Sequence, residues 1–281
     1  MAVIGGPVHA AHRFVCVDNG ANRLLHVNEL QPATNWHVDV PAGTRDVQRL
    51  GGERLLLSHG NGCGIYRLSD GKLLWSLGGF KGVQTAHHRA DKQEIVLGAN
   101  VADGYEFYVL EKAGEWFKNS GRMLRCAAVK TGLLRLVRFT PDGHLLFTAG
   151  EPYRVIEWDA EKNQVVWSAD LPGKGYVAIR RADGTTVATT GGSVSAVVIG
   201  KEGKIAKTYL GEESRKAQRL SWFSGFEILK NGNLVIANWL GHGATGKGPH
   251  LVEVNAQNQV VWSWEDHTAA KQVTGLVILD E

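Results

Sequence analysis

The feature that most constrains this chain is a repeat of four short apolar segments joined by tight turns. Its clearest copy is the last, residues 222–266. Within that copy an Asn-Gly turn separates 226–229 from 234–238, and Asn-Gly closes two-residue hairpins because both residues tolerate positive φ. A long loop rich in Gly and His, then a polar turn, introduce two further segments, 250–254 and 260–264. The pattern predicts four consecutive antiparallel strands.

Weaker copies of this pattern fill most of the chain. Each copy has a turn signal between its first and second strands, and a tryptophan marks most of the fourth strands. The turns are Gly51-Gly52, Ala90-Asp91, Pro141-Asp142-Gly143, Ala182-Asp183-Gly184 and Lys230-Asn231-Gly232. The tryptophans are Trp36, Trp75, Trp116, Trp167 and Trp262.

The spacing of these tryptophans gives the period of the repeat. It starts at roughly 40 residues, which is typical of β-propeller blades. The last interval is about twice as long and hides a copy without Trp at 204–210. The N-terminus supplies only strands two to four of a copy, at 13–17, 24–27 and 35–38, whereas the C-terminus supplies one extra strand at 274–279. The two incomplete ends therefore complement each other.

We predict an all-β fold, a six-bladed β-propeller with four antiparallel strands per blade, as a single domain over residues 1–281. The C-terminal strand completes the N-terminal blade, and this closure removes the exposed edges of an open array. The alternatives are a β-sandwich and an open β-solenoid. One short helix is expected around 213–219, between the fifth and sixth units. The recurring tryptophans indicate packing between blades rather than carbohydrate platforms.

Composition narrows the partners and the compartment. The net charge is only +3 and no long run of like charges occurs, so we expect no nucleic acid partner and no acidic membrane surface. No apolar stretch approaches the roughly 18 residues of a membrane-spanning helix. Cys16, Cys63 and Cys126 exclude a disulfide framework and favour buried thiols, with one bridge left open. The N-terminus lacks the features of a signal peptide, which favours a cytoplasmic protein, or an exported one whose leader has been removed.

The repeat resembles the quinoprotein-like, or PQQ-binding-like, β-propeller repeats. The segments that carry the resemblance are DGKLLW at 70–75, TPDGHLLF at 140–147, NQVVW at 163–167 and at 258–262, and KNGNLVI at 230–236. The resemblance covers almost the whole chain and implies a scaffold rather than an activity. Quinoprotein dehydrogenases of that group have more blades and a longer chain, so we do not expect a PQQ cofactor here.

A propeller gathers equivalent loops at one end of its central channel, and this places distant residues together. Counting seven residues back from each aligned turn gives Arg45, Gln84, Arg135, Tyr176 and Ser224, and the closing blade adds Val273 or Thr274. Two residues further along, the equivalent set is mostly small and apolar. This predicts a polar mouth above a narrow channel.

Two arginines in one ring offer paired donors to a carboxylate, sulfate or phosphate. We therefore expect a small polar or anionic ligand at the mouth, such as an acidic saccharide. In the alternative, the two arginines pair with Asp46, Glu151 or Glu227 and join neighbouring blades. The expected ligand-binding residues are Arg45, Asp46, Gln84, Arg135, Trp222 and Trp239.

Three residues of the same end are candidates for proton transfer, namely His59, Tyr176 and His242. His250 joins the two histidines as a candidate ligand of a divalent metal, although each histidine alone is more often a loop hydrogen bonder. No nucleophile elbow, zinc motif or phosphate loop specifies a reaction. The function stays open between a ligand-binding protein, a lyase or hydrolase of a carbohydrate-like substrate, and a protein-interaction scaffold. No cofactor is expected beyond the metal left open.

Overall fold

The structure is a computed structural model that describes residues 11–126, 129, 132–193 and 195–280. Its strands form six four-stranded antiparallel sheets, which confirms the six-bladed β-propeller. Most of the N-terminal segment on which the signal-peptide prediction depends lies outside the described residues. Among the described residues, no helix has the length and apolar character needed to cross a lipid bilayer.

The bounds of the elements follow the predicted repeat closely. The first strands are β1 (Arg13–Asp18), β2 (Arg23–Asn28), β3 (Trp36–Asp39), β4 (Val47–Gly51), β5 (Arg54–His59), β6 (Gly62–Arg67), β7 (Leu73–Leu77), β8 (Val83–Arg89), β9 (Glu94–Val101), β10 (Gly104–Ala113) and β11 (Trp116–Cys126). The later strands are β12 (Val137–Phe139), β13 (Leu145–Ala149), β14 (Arg154–Asp159), β15 (Gln164–Asp170), β16 (Gly175–Arg180), β17 (Thr186–Thr190), β18 (Ser195–Ile199), β19 (Ile205–Tyr209), β20 (Phe223–Ile228), β21 (Leu234–Asn238), β22 (Leu251–Val254), β23 (Val260–Trp264) and β24 (Val273–Ile278). The helices are a 3-10 turn at Pro32–Thr34 and α1 (Glu212–Ala217).

The first blade has the order β24-β1-β2-β3, and each of the other five contains four strands in chain order. The innermost strands contact one another in sequence around the axis, from β24 through β4, β8, β12, β16 and β20 back to β24. The ring is therefore closed, and its channel is lined by one strand from each blade.

Ring closure depends on the antiparallel pairing of β24 with β1. Val277 lies opposite Val15, and Leu276 lies opposite Cys16. At one end of this joint, the Asp280 carboxylate accepts hydrogen bonds from the Arg13 backbone N–H at 2.7 Å and from the His12 ring at 2.6 Å. The predicted completion of the N-terminal blade by the C-terminal strand is confirmed.

The fourth-strand tryptophans contact the neighbouring blade. Trp262 meets Phe14 edge-on, with ring centroids 5.9 Å apart. Trp75 lies 6.0 Å from Phe117 in the next blade. Trp167 donates its indole N–H to the Lys201 carbonyl at 2.8 Å. These contacts support packing between blades as the role of the repeated tryptophan.

Two local features differ from the expected ones. Helix α1 begins and ends slightly earlier than the expected 213–219. Strands β10 and β11 are longer than the sequence predicts, because their hairpin stays paired to Ala113 and Trp116 around a tight turn, with one register shift between Tyr108 and Leu110. All three cysteines are free and buried, as expected.

We predict that His12 makes blade closure sensitive to pH. Its pKa is raised, chiefly by the hydrogen bond to Glu253 at 2.8 Å and against the opposing effect of burial. Because its pKa is higher in the folded state, protonated His12 stabilises the fold. This stabilisation is complete below the unfolded-state pKa of about 6.5 and is lost as the pH rises through the folded-state pKa. The pKa of Glu253 is lowered by the same bond, so its contribution is lost only at more acid pH.

His12→Gln should therefore destabilise the protein more at pH 5.5 than at pH 8.5, as measured by urea unfolding at the two pH values. The exposed His37 is the control, because His37→Gln should show no such difference. An equal loss for His12→Gln at both pH values would contradict the prediction.

Candidate anion site at the channel mouth

The structure brings the predicted ring residues together at one end of the channel. Arg45 precedes β4, and Gln84 lies in β8. Arg135 Nη1 donates to Gln84 Oε1 at 3.3 Å. The backbone N–H of Leu136 donates to the Tyr176 carbonyl at 3.1 Å. The second to fifth blades thus each contribute a polar side chain to one cluster, here called the mouth ring (Arg45, Gln84, Arg135 and Tyr176).

The two arginines of the mouth ring lack an acidic partner. Neither makes an ion pair with any carboxylate in the part of the chain that the structure describes. The pKa of Arg135 is lowered, chiefly because burial disfavours its charged form. The nearby Tyr176 acts to raise this pKa, and the like charge of Arg45 acts to lower it. Arg45 and Arg135 therefore do not form the alternative ion pairs with Asp46, Glu151 or Glu227.

Asp46, the acid next to the ring, is paired with a residue that the sequence analysis missed. Its buried carboxylate accepts two hydrogen bonds from the Arg138 guanidinium, at 2.9 and 3.0 Å. The Thr85 hydroxyl donates a third at 2.6 Å. Arg138 lies on the innermost strand of the fourth blade, whereas Asp46 enters the second. The ion pair therefore links the inner ends of two blades that are not neighbours.

Close backbone approach narrows the channel at the same level. A side chain on Gly275 would place its Cβ only 2.6 Å from the Arg45 carbonyl oxygen. Thr274 Oγ1 donates to that oxygen at 3.4 Å, and Ser224 Oγ donates to the Val273 carbonyl at 3.3 Å. The inner strands β24 and β4 therefore approach each other closely beside Arg45.

Tyr176 is the least satisfied polar group of the mouth ring. The residue is 4% exposed, and its hydroxyl has no hydrogen-bond partner among the described residues. Burial raises the pKa of Tyr176, whereas the nearby Arg45 and Arg135 act to lower it. Arg45 approaches the hydroxyl without reaching hydrogen-bond geometry, and its own Nε is also buried and unpartnered.

An open groove of about 680 Å³ lies at the same end, over the fifth and sixth blades. It runs between α1 and the loop that joins β21 to β22. Its lining is cationic and aromatic, and none of its described lining residues is acidic. We call it the cationic groove and define it by Arg215, Arg219, Trp222, His242 and Lys247.

The predicted residues Trp222, Trp239 and His242 form one aromatic cluster beside this groove. The His242 ring lies 5.0 Å from Trp239 and 5.7 Å from Trp222, both edge-on. His242 is exposed, whereas the Trp239 indole nitrogen is buried without a partner. The cluster thus offers one exposed imidazole and aromatic faces to a ligand.

The structure does not gather His59, His242 and His250 into one set of metal donors. His59 ends β5 at the mouth end, and its pKa is lowered by burial. His250 is fully buried, with its ring 4.9 Å from His267 and 5.3 Å from Trp264. Burial lowers the pKa of His250 to about 4. The metal role of the three histidines, like the expected absence of PQQ, stays a prediction.

Among the described residues, one group of side chains has donor atoms close enough to hold a metal ion, and it lies at the opposite end of the propeller. It consists of Asp142, His144 and Glu157. Glu157 Oε1 is bonded to His144 Nδ1 at 2.9 Å, and its other oxygen pairs with Arg180. These contacts satisfy the carboxylate without a metal.

Fold and repeat together define a β-propeller built from PQQ-like repeats. A family profile described as outer membrane protein assembly factor BamB matches residues 116–264, more than half of the chain. The chain belongs to this family. No curated protein matches the chain.

Several solved structures share the fold. One is a protein of unknown function from Bacteroides caccae, with a TM-score of 0.79 and 20% identity over 97% of this chain and 100% of that one. A second is the nidogen/laminin complex, with a TM-score of 0.64 and 12% identity over 96% and 98%. A third is the dihydro-heme d1 dehydrogenase NirN, with a TM-score of 0.53 and 12% identity over 98% and 77%. At these identities the likeness shows the fold alone.

Stability measurements can separate the structural arginine from the arginines of the mouth ring. Arg138→Gln leaves the buried Asp46 carboxylate without its ion pair, so we expect a loss of about 3 kcal/mol in the free energy of unfolding. Arg45→Gln and Arg135→Gln each remove a cation that lacks a carboxylate partner, so stability should stay unchanged or rise. Urea unfolding in a buffer free of phosphate and sulfate measures all three. A loss for Arg45→Gln as large as that for Arg138→Gln would assign Arg45 a structural role.

Proposed function

We propose that this propeller binds a small ligand carrying an oxyanion, such as the carboxylate of an acidic saccharide, at the mouth ring. One observation carries the proposal. Within the described part of the chain, two half-buried guanidinium groups without a carboxylate partner flank a buried tyrosine hydroxyl that has no hydrogen-bond partner.

The electrostatics of the mouth ring favour an anion. Burial and a neighbouring like charge both disfavour a cation, and an oxyanion placed between Arg45 and Arg135 offsets both costs. A buried polar group without a partner costs about 1–3 kcal/mol. Arg45 Nε and Tyr176 Oη are themselves shielded from solvent, so a ligand oxyanion would be held by the accessible parts of the two guanidinium groups.

The protonation state of Tyr176 favours binding over proton abstraction. Because burial raises its pKa above the ordinary value near 10, the hydroxyl is protonated at neutral pH and acts as a donor. A donor stabilises a bound anion, whereas a lyase needs a base at this position. The geometry therefore supports ligand recognition better than the lyase or hydrolase alternative.

The shape and surroundings of the mouth indicate the size and kind of ligand. The Asp46–Arg138 ion pair occupies the inner part of the channel next to the mouth ring, so we place the end of a small molecule at the ring itself. The Gln84 amide is suited to a hydroxyl group, and Trp222 at the same end offers an aromatic face to a sugar ring. An acidic saccharide combines these features.

A protein-interaction scaffold is the second class of function, and the name of the family profile refers to an assembly factor. The exposed apolar side chains do not favour it. Most lie on the outer strands of five different blades, rather than in one patch on one face. These residues are Leu73, Met123, Val166, Ile205 and Val261, and two more, Leu30 and Leu133, lie in separate loops.

Calorimetric titration with galacturonate, with glucose as the neutral sugar, tests the proposal. We expect galacturonate to bind and glucose not to bind. The Arg45→Gln/Arg135→Gln double variant should lose at least about tenfold in affinity, because it removes the charge-assisted bonds to the carboxylate. Arg49→Gln is the matched control, since Arg49 is exposed and lies in β4, four residues after Arg45. Equal binding of the two sugars, or an unchanged affinity of the double variant, would refute the proposal.

A further inference from the structure

The cationic groove has the charge of an anion-binding surface beyond the mouth ring. Arg215 and Lys247 make no ion pair with a carboxylate among the described residues, and the Lys247 ammonium bonds only the Gly243 carbonyl of its own loop, at 3.4 Å. Arg219 differs, because Glu265 holds its guanidinium at 2.6 and 3.2 Å. Two of the three cations that line the groove are therefore available to a ligand.

The groove adjoins the mouth ring through the fifth and sixth blades. Trp222 lies two residues before Ser224, the ring position of the sixth blade. The Gly191 N–H donates to the Lys174 carbonyl at 2.8 Å, and Lys174 lies two residues before Tyr176. Two residues of extended backbone span about 7 Å, so a short chain that starts at the mouth ring reaches the groove directly.

The backbone at Gly191 fixes the position of Trp222, which forms the aromatic wall of the groove. A Cβ on Gly191 would lie only 2.0 Å from the Trp222 ring, so the indole packs flat against a backbone that lacks a side chain. Trp222 also lies edge-on to the Trp239 ring at 6.1 Å. The indole face is thereby held in place between the mouth ring and the two available cations.

Resting on the proposed function, we propose that the natural ligand is a short acidic oligosaccharide rather than a single sugar acid. Its terminal carboxylate lies at the mouth ring, a sugar ring stacks on Trp222, and a second carboxylate lies between Arg215 and Lys247. The alternation of sugar rings and carboxylates along such a ligand matches the alternation of aromatic and cationic side chains along the protein surface.

The acids around the groove favour a saccharide over a nucleic acid. Glu212 and Glu213 lie exposed in the first turn of α1, next to Arg215. A sugar–phosphate backbone needs a continuous basic surface, and these carboxylates interrupt it. The net charge of +3 agrees with this distinction.

Titration of the intact protein with galacturonate and trigalacturonate tests the proposal. We expect the trimer to bind at least about tenfold more tightly than the monomer, and its affinity to fall more steeply with added salt. Arg215→Gln/Lys247→Gln should reduce trimer affinity to that of the monomer and leave monomer affinity unchanged. The control is Lys216→Gln, on the same helix but outside the groove lining.

The outcomes separate this inference from the proposed function. Equal affinity and equal salt dependence of the two ligands for the wild-type protein would overturn the oligosaccharide and leave the mouth site intact. An unchanged affinity of the Arg215→Gln/Lys247→Gln variant for trigalacturonate would also overturn the oligosaccharide and leave the mouth site intact. Absence of monomer binding, or monomer binding insensitive to Arg45→Gln/Arg135→Gln, would overturn the mouth site itself. Tighter binding of a thymidine oligonucleotide than of trigalacturonate would reject the saccharide class.

Discussion

The pairing of β24 with β1 is the interaction on which the rest of the structure depends. A four-stranded blade has two edges, and six such blades in an open row would leave the first and last without neighbours. Because the last strand completes the first blade, β24 contacts both β20 and β4. The inner strands then face a common axis, and side chains more than a hundred residues apart in the chain become neighbours. Without closure there is no channel and no mouth ring.

Closure also creates the electrostatic asymmetry of the molecule. Three arginines, Arg45, Arg135 and Arg138, lie at the inner ends of their blades, near the Asp46 carboxylate. Only one of them can form a bidentate pair with it, and the geometry assigns that pair to Arg138. The other two are left with a buried tyrosine between them. The excess of positive charge over acidic partners is therefore a consequence of how the blades converge, and it is concentrated where solvent still has access.

The repeat pattern was sufficient to predict the blades and the membership of the mouth ring. Turn residues and alternating apolar residues are local signals, so they mark strands such as Leu234–Asn238 without knowledge of the fold. The aligned turns then count residues back to Arg45, Gln84, Arg135 and Tyr176 in register. The same reasoning missed Arg138, because strand alternation gives the face of a side chain but not its reach across a channel. It also grouped His59, His242 and His250, whose donor atoms do not come together among the described residues.

The sequence by itself determined the six blades, the complementary ends of the chain and the polar character of the mouth, because each of these follows from local patterns repeated at a fixed period. Only the tertiary structure decided which arginine neutralises Asp46, which donors stay unpartnered, and that a cationic groove extends the mouth over the fifth and sixth blades. Those outcomes depend on distances between residues of different blades. Such distances are set by ring closure and side-chain packing, and no local pattern encodes them.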